Sequence, residues 1–372
     1  MKVLMTSIYY PPRLGGIENH VYYLCHGLAD EGCEVSVVTS RTEPESAPHE
    51  IERGGVSVDR VYMPERSRFG WVVNAVASIP AAIRKGVDAD VIHAHTFQAI
   101  LPALPLLVRK KPLVVTIHSS HFLRMVEKPH WRAVFRALLS PASLILAPSE
   151  ELAEACRRVA SNERVVTYTN AIDTNLFRPV APSIKRRGDR AILVAARRLV
   201  EKNGVHHLIE GLPAILRRIP VDLYLAGIGP EQADLERRIA HHSLEDHVHF
   251  LGAVPNHELP PILSSADAVV VPSLLEATSL AALEAMACER PMAVSRVGGL
   301  PEIIDESCGV LFESANPDDL ADKIVDLLSR PVAEREKMGR EGRRRVLASW
   351  SIPALVAKHL GHYRDAIGDA GT

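Results

Sequence analysis

Two series of short apolar runs alternate with helix-patterned stretches along the chain, one series after the other. In the first, Val3 to Ser7, Val35 to Thr39, Val91 to His93, Val114 to Ile117, Leu144 to Ala147 and Val165 to Thr169 have strand length and buried-strand composition. Helical spacing follows the first run, from Ile17 to about Glu31, and follows Pro148-Ser149 through Val159. The series restarts with strands predicted at Ala191 to Ala196, Val221 to Ala226, Val248 to Leu251, Ala268 to Val271 and Met292 to Ser295. Helices are predicted over Val205 to Arg218, Glu231 to His241, from Ser279 onward, over Pro317 to Leu328 and Ala333 to Trp350, and after Pro353 to about Ile367. Strand–helix alternation of this kind predicts an α/β protein with parallel sheets, and 372 residues are too many for one ordinary core. The polar run Pro182 to Arg190 (PSIKRRGDR) reads as the linker between two domains.

The most informative stretch is 268 to 302. The strand Ala268 to Val271 is stopped by Pro272-Ser273, and a short loop carries Glu276, Ala277 and Thr278. Ser279 is a good N-cap for a helix with Leu280, Leu283 and Ala287 on one side. A helix amino end offers unpaired N–H groups and a partial positive charge to an anion. Glu284 lies about a turn and a half inside that helix, so it can stand beside Glu276 with the anion between them. The chain returns to Gly298-Gly299, where the backbone can approach a ligand without a Cβ in the way. Spacing alone suits an ordinary strand–loop–helix with two exposed acids at least as well.

Cations gather at another predicted strand end, in Arg197-Arg198-Leu199-Val200-Glu201-Lys202-Asn203-Gly204. Two or three positive charges there suit a pyrophosphate leaving group, or else decorate a surface turn. Near the amino terminus, Arg13-Leu14-Gly15-Gly16 links the first strand to the first helix. It is not a dinucleotide fingerprint: G-x-G-x-x-G is missing, and the second strand ends in Ser40-Arg41 with no acid for a ribose. His93 and His95 alternate on one strand and can face one side, but zinc would still need a third ligand.

Arg124, Lys128, Arg132 and Arg136 recur every fourth residue among Phe122, Met125, Val126, Trp131, Phe135, Leu138 and Leu139. This basic amphipathic pattern, interrupted at Pro129, is compatible with docking on anionic lipid or with the solvated face of one or two domain helices. Lys+Arg number 43 and Asp+Glu 45, a net charge of −2, so no global field draws the chain to nucleic acid. Five scattered cysteines without a C-x-x-C pair favour a reducing compartment. No signal peptide is apparent. The longest apolar stretch, Ala99 to Val108, is broken by Pro102 and Pro105 and does not span a bilayer core of about 30 Å. A cytoplasmic protein is expected, soluble or at most peripheral on a membrane face.

Glu276 and Glu284, then Ala-Met-Ala and Gly-Gly-Leu-Pro-Glu, resemble the signature of retaining glycosyltransferases of family 4, which have the GT-B fold. The resemblance extends over nearly the whole chain. Asn170-Ala171-Ile172-Asp173 with Phe177-Arg178-Pro179 is similar to the family's Asn-Gly-Val-Asp…Phe-x-Pro segment, with Ala171 in place of glycine. It implies two Rossmann-like domains, 1–180 on the acceptor side and 190–350 on the donor side, facing across a cleft, with 351–372 crossing back to the first. It also implies a nucleotide-diphosphate sugar as donor, a lipid-linked, saccharide or small-molecule hydroxyl as acceptor, no cofactor and no metal at the diphosphate.

By the same resemblance His118 lies near the transferred sugar, and Gly15 and Gly16 sit beside the donor phosphates. Arg198 and Lys202 act on the leaving diphosphate, with Arg197 and Asn203 beside them. Gly229 and Val254 lie at the nucleotide. Thr278, Ser279, Leu280 and Glu284 bind donor, and Glu276 positions the sugar. The family pattern Arg-Leu-Val-x-x-Lys-Gly puts Asn203 rather than Lys202 at the lysine's place, and Ala277-Thr278-Ser279 replaces the frequent Gly-Phe-Gly. These departures keep two alternatives open: a GT-B epimerase and a non-catalytic sugar-nucleotide-binding homologue. Gly-Gly-Ile-Glu-Asn-His (15 to 20) is loosely similar to branches that glycosylate phosphatidylinositol or other lipid-linked acceptors.

Overall fold

The computed structural model describes residues 1–12, 16–43, 46–65, 67–118, 121–160, 164–168, 171–276 and 279–370. It forms two units, Met1–Asn170 with Ile352–Thr372, and Ala171–Ser351.

The first unit is built on an eight-stranded sheet, β1 (Lys2–Ser7), β2 (Glu34–Arg41), β3 (His49–Ile51), β4 (Ser57–Tyr62), β5 (Val91–His95), β6 (Leu113–Thr116), β7 (Leu144–Ala147) and β8 (Val165–Thr167). Their order is β3-β4-β2-β1-β5-β6-β7-β8, all parallel except the antiparallel β3–β4 pair. The chain therefore reverses direction across the sheet between β1 and β5. In open α/β sheets ligands bind outside the strand carboxyl ends at such a reversal. Helix Gly16–Asp30 leaves β1 there, and the carboxy-terminal helix Ile352–Ala370 packs on it and on β5 and β6. That last helix thus belongs to the first unit, as a chain crossing back requires.

The second unit has a six-stranded parallel sheet, ordered β11-β10-β9-β12-β13-β14, from β9 (Ala191–Ala196), β10 (Val221–Ala226), β11 (Val248–Gly252), β12 (Ala268–Val271), β13 (Met292–Ser295) and β14 (Gly309–Phe312). Successive residues feed opposite faces: Leu193 and Ala195 enter one core cluster, Ile192 and Val194 the other. Burial on both faces is why these strands are apolar throughout rather than alternating. The reversal here lies between β9 and β12, the two strands whose ends carry the arginine loop and Glu276.

Residues 171–190, expected to close the first domain and form a linker, belong instead to the second unit. Ile172 donates its N–H to the Trp350 carbonyl, and Ile172 and Phe177 enter the second unit's core. The charged run is spent on ion pairs: Arg186 with Asp267, and Arg187 and Arg190 with Asp246, whose carboxyl they hold well below the usual carboxylate range. Composition made this segment look like a linker; the acids that satisfy it lie far off in sequence.

The basic amphipathic stretch forms two helices, His121–Val126 and Pro129–Leu139. Phe122, Val126, Phe135 and Leu139 are buried in the first unit's core, while Arg132 donates to the carbonyls of Val126 and Glu127. The apolar stripe is therefore used internally, and the face turned outward is the basic one. Among the described residues no helix is long and apolar enough to cross a membrane.

Candidate functional site

Arg197 follows β9 directly, and its guanidinium ties three segments together. Nη2 donates to Glu276 Oε2 at 2.6 Å and to Asn203 Oδ1 at 3.1 Å, and Nη1 donates to Ser279 Oγ at 3.2 Å. Asn203 Nδ2 in turn donates to the Arg198 carbonyl at 2.7 Å, and the Ser273 hydroxyl donates to Glu276 at 3.3 Å. Ser279 is the N-cap of helix Leu280–Ala287, its Oγ accepting from the Ala282 N–H. The expected strand–loop–helix is present, and its loop is pinned by a charge-assisted network across the reversal of the sheet.

This network divides the cations. Arg197 is nearly buried and engaged by the protein itself, so it is a positioning group rather than a free phosphate ligand. Arg198 and Lys202 are exposed, with no side-chain partner among the described residues. Asn203, at the family lysine's place, is buried and turned inward; the free ammonium is that of Lys202. The Lys202 carbonyl accepts from the Leu274 N–H, tying the arginine loop to the segment before Glu276.

Glu284 stands on the same helix with part of its side chain open to solvent. Burial pushes its carboxyl up to about 8, against the pull of Arg197 in the other direction. The two acids therefore differ: Glu276 is salted to an arginine, and Glu284 holds its proton at neutral pH.

Gly298 does a different job from the one its sequence suggests. With φ +51°, it lies where an added Cβ would fall 1.7 Å from the Glu276 carbonyl oxygen. The missing side chain makes room for the Glu276 backbone, not primarily for a ligand. Gly298→Ala is expected to cost roughly 1–3 kcal/mol in strain and to raise the donor KM by displacing Glu276, read from thermal melts and initial rates. Gly229 likewise admits the Leu199 carbonyl, at 2.1 Å from its Cβ position, pressing the Gly227-Ile228-Gly229 loop onto the arginine loop. Val254 packs partly against the unit's core, and Leu280 opens the helix after Ser279. Thr278 and Gly15 lie outside the described residues. Gly16 begins helix Gly16–Asp30, with open space where a Cβ would point.

In the first unit, side chains converge at the carboxyl ends of β5 and β6 near the reversal. His118 Nδ1 shares a 3.2 Å hydrogen bond with the Tyr168 hydroxyl, and its Nε2 lies 3.0 Å from His95 Nδ1. His93 is held between Tyr363 and Thr116 at 2.6 and 2.7 Å. His20 from the first helix and His359 from the last complete the group. Burial drives all five imidazoles towards the neutral form, His118 down to about 3. His118 is thus a neutral hydrogen-bonding group at neutral pH, and a positive imidazolium near the sugar is not what this environment favours. His20, Tyr168 and His359 were not singled out by sequence; His20 falls one turn into the helix after the glycine turn, the only signal that marked it.

Asp88-Ala89-Asp90 has the spacing of a metal-binding Asp-x-Asp pair, but it precedes β5, at the amino edge of the sheet. There Asp90 accepts the Lys2 N–H at 2.7 Å.

The second half of the chain, residues 179–345, matches the profile of glycosyl transferases group 1, and residues 14–176 match that of Glycosyltransferase Family 4. One relative, the phosphatidylinositol N-acetylglucosaminyltransferase of Arabidopsis thaliana, is 31% identical over 94% of this chain and 79% of its own length. The MMP alpha-(1->4)-mannosyltransferase of Mycolicibacterium hassiacum is 32% identical, covering 99% of this chain and 98% of that protein. Among solved structures, sucrose-phosphate synthase from Thermosynechococcus elongatus superimposes with a TM-score of 0.82 at 24% identity, covering 99% of both chains, a likeness of GT-B fold. Identity above 30% sustained along both halves goes beyond a shared fold, and on that ground the chain belongs to the family 4 glycosyltransferases.

Proposed function

We propose that this protein is a retaining, metal-independent glycosyltransferase that moves a sugar from a nucleotide-diphosphate donor to a hydroxyl acceptor. The observation that carries the reading is the pinned amino end of helix Leu280–Ala287, with free Arg198 and Lys202 on the adjoining strand end and a protonated Glu284 beside it. Amide N–H groups and two unpaired cations meet the diphosphate, while Arg197 keeps Glu276 fixed for the sugar hydroxyls. Charge building on the leaving phosphate is then balanced by groups already in place, so neither a cofactor nor a divalent ion is needed there. Retention follows if acceptor attack and phosphate departure share one face, with the leaving phosphate taking the acceptor's proton. His118, neutral and oriented by Tyr168, serves as a hydrogen-bonding partner of the transferred sugar.

The acceptor we favour is lipid-linked, presented at a membrane surface. Support comes from the outward basic face of the helices His121–Val126 and Pro129–Leu139, and from a relative named for phosphatidylinositol glycosylation. The test of the function is release of nucleoside diphosphate from nucleotide-sugars with and without an added acceptor, after a thermal-shift screen of nucleoside diphosphates has identified the base. Acceptor-stimulated release with the anomeric configuration kept is the expected result. Binding without release supports the non-catalytic alternative instead.

Glu284 supplies a pH prediction. Below about 8 its carboxyl is neutral and donates to the donor; above that it is ionised and repels the diphosphate, whose own charge is constant across the window. Donor affinity is expected to fall as pH rises through about 8. In Glu284→Gln, which cannot ionise, the fall should be absent; parallel profiles for the two proteins contradict the assignment.

A further inference from the structure

The five histidines of the first unit are not equally satisfied. His93 uses both ring nitrogens, and His118 uses Nδ1 on Tyr168. His95 spends Nδ1 on the 3.0 Å contact with His118 Nε2, and its Nε2 has no partner among the described residues. His20, only 3% exposed, has no hydrogen-bond partner among them on either nitrogen. Its ring centroid lies 4.8 Å from that of His118 and 5.7 Å from that of His95. No choice of tautomer repairs this, because imidazole carries only two nitrogens and the neighbours facing His20 are other imidazoles. Buried polar atoms are as a rule satisfied, so an unpaired pair of nitrogens aimed into a cluster of lone pairs calls for a partner of another kind.

One ligand nitrogen from each of His20, His95 and His118 lies within 4.8 Å of the other two. Three imidazoles on one ion match the donor set of sites for zinc-class divalent metals that keep a fourth position open. A bound cation would accept lone pairs from nitrogens that no proton donor reaches. His118 Nε2 is the atom available to it, since Nδ1 is engaged by Tyr168. An outer hydrogen bond of that sort commonly sets the orientation of a metal-bound imidazole. His118 is only partly buried, so the site has an entrance on that side, whereas His20 and His95 close it from within. His93, the other half of the sequence pair, is excluded by its bonds to Tyr363 and Thr116.

We propose that His20, His95 and His118 form a three-histidine site for a divalent transition metal of the zinc class, with its open position towards solvent. The site is separate from the diphosphate contacts of Arg198, Lys202 and helix Leu280–Ala287, which all lie in the other unit. Metal binding there does not depend on the glycosyl-transfer reading.

The test is titration of chelator-treated, tag-free full-length protein with cobalt(II), followed by visible d–d absorption. The expected result is one saturable equivalent with the intensity of a low-coordinate nitrogen site, displaced by zinc. His20→Gln and His95→Gln should each abolish the band. The surface double variant His241→Gln/His242→Gln should keep it. Circular dichroism and thermal melting identify any variant that fails to fold, and the wild-type titration decides the matter alone if both do. A featureless octahedral spectrum in the wild type overturns the proposal. So does a band that survives in folded His20→Gln/His95→Gln protein, or one lost in the surface variant. Nucleotide release assayed on the same samples separates this outcome from that of the proposed function.

Discussion

Replacing Arg197 by methionine is expected to weaken the second unit by about 3 kcal/mol and to lower turnover by about a hundredfold or more. The guanidinium is 9% and the Glu276 carboxylate 14% exposed, so their 2.6 Å contact is largely shielded from water. Removing one partner leaves the other with an uncompensated charge in a poorly hydrated place, and that cost exceeds the net worth of the intact pair. The loss is not confined to stability, because the same side chain holds Ser279 at the helix cap and Asn203 in the arginine loop. Three segments that must agree to within a fraction of an ångström are released together. Denaturant melts and steady-state kinetics on Arg197→Met check both halves; a variant with a normal melt and normal kcat refutes the bracing role.

Arg198→Ala should behave in the opposite way. Arg198 is exposed and engages no described side chain, so the melt should move little, within about 0.5 kcal/mol. Turnover should nevertheless fall by about 10²–10³, equivalent to roughly 2–4 kcal/mol in the barrier, if the guanidinium carries as much developing charge as an oxyanion-hole donor. Arg198→Lys should recover part of that loss, since the charge returns without the planar fork that grips two phosphate oxygens. The two neighbouring arginines thus make a paired test. One variant is expected to lose stability and rate together, the other rate alone. A rate unchanged in Arg198→Ala would shift the leaving-group role to Lys202.

The contrast was hidden in the sequence, where Arg197 and Arg198 are adjacent cations of the same chemistry. Residue 197 continues β9 and its side chain turns to the segments that follow β12, because β9 and β12 are neighbours in the sheet although 71 residues lie between them. Strand order is a long-range property, and local pattern carries no information about it. The same is true of Gly298. Its partner is the Glu276 carbonyl, 22 positions earlier, and only the folded backbone brings the two within contact. The polar run 182–190 misled for a related reason: charge in a short segment signals solvent unless the opposing acids are known to lie beside it.

What the amino-acid order determined by itself was local and periodic. Runs of β-branched and small residues marked nearly every parallel strand, helical spacing marked the helices between them, and Ser279 marked the cap at the helix that organises the donor half. These follow from short-range backbone preferences and from which faces must be buried. The edge strands β3 and β4 escaped, being short and mixed in polarity, since a sheet edge does not impose the apolar character of its centre. Which acid is paired, which keeps its proton, which arginine is free, and which histidines meet were decided by tertiary structure alone. Each is an electrostatic state set by burial and by partners distant along the chain, and in a low-dielectric interior those partners outweigh the intrinsic chemistry of the side chain.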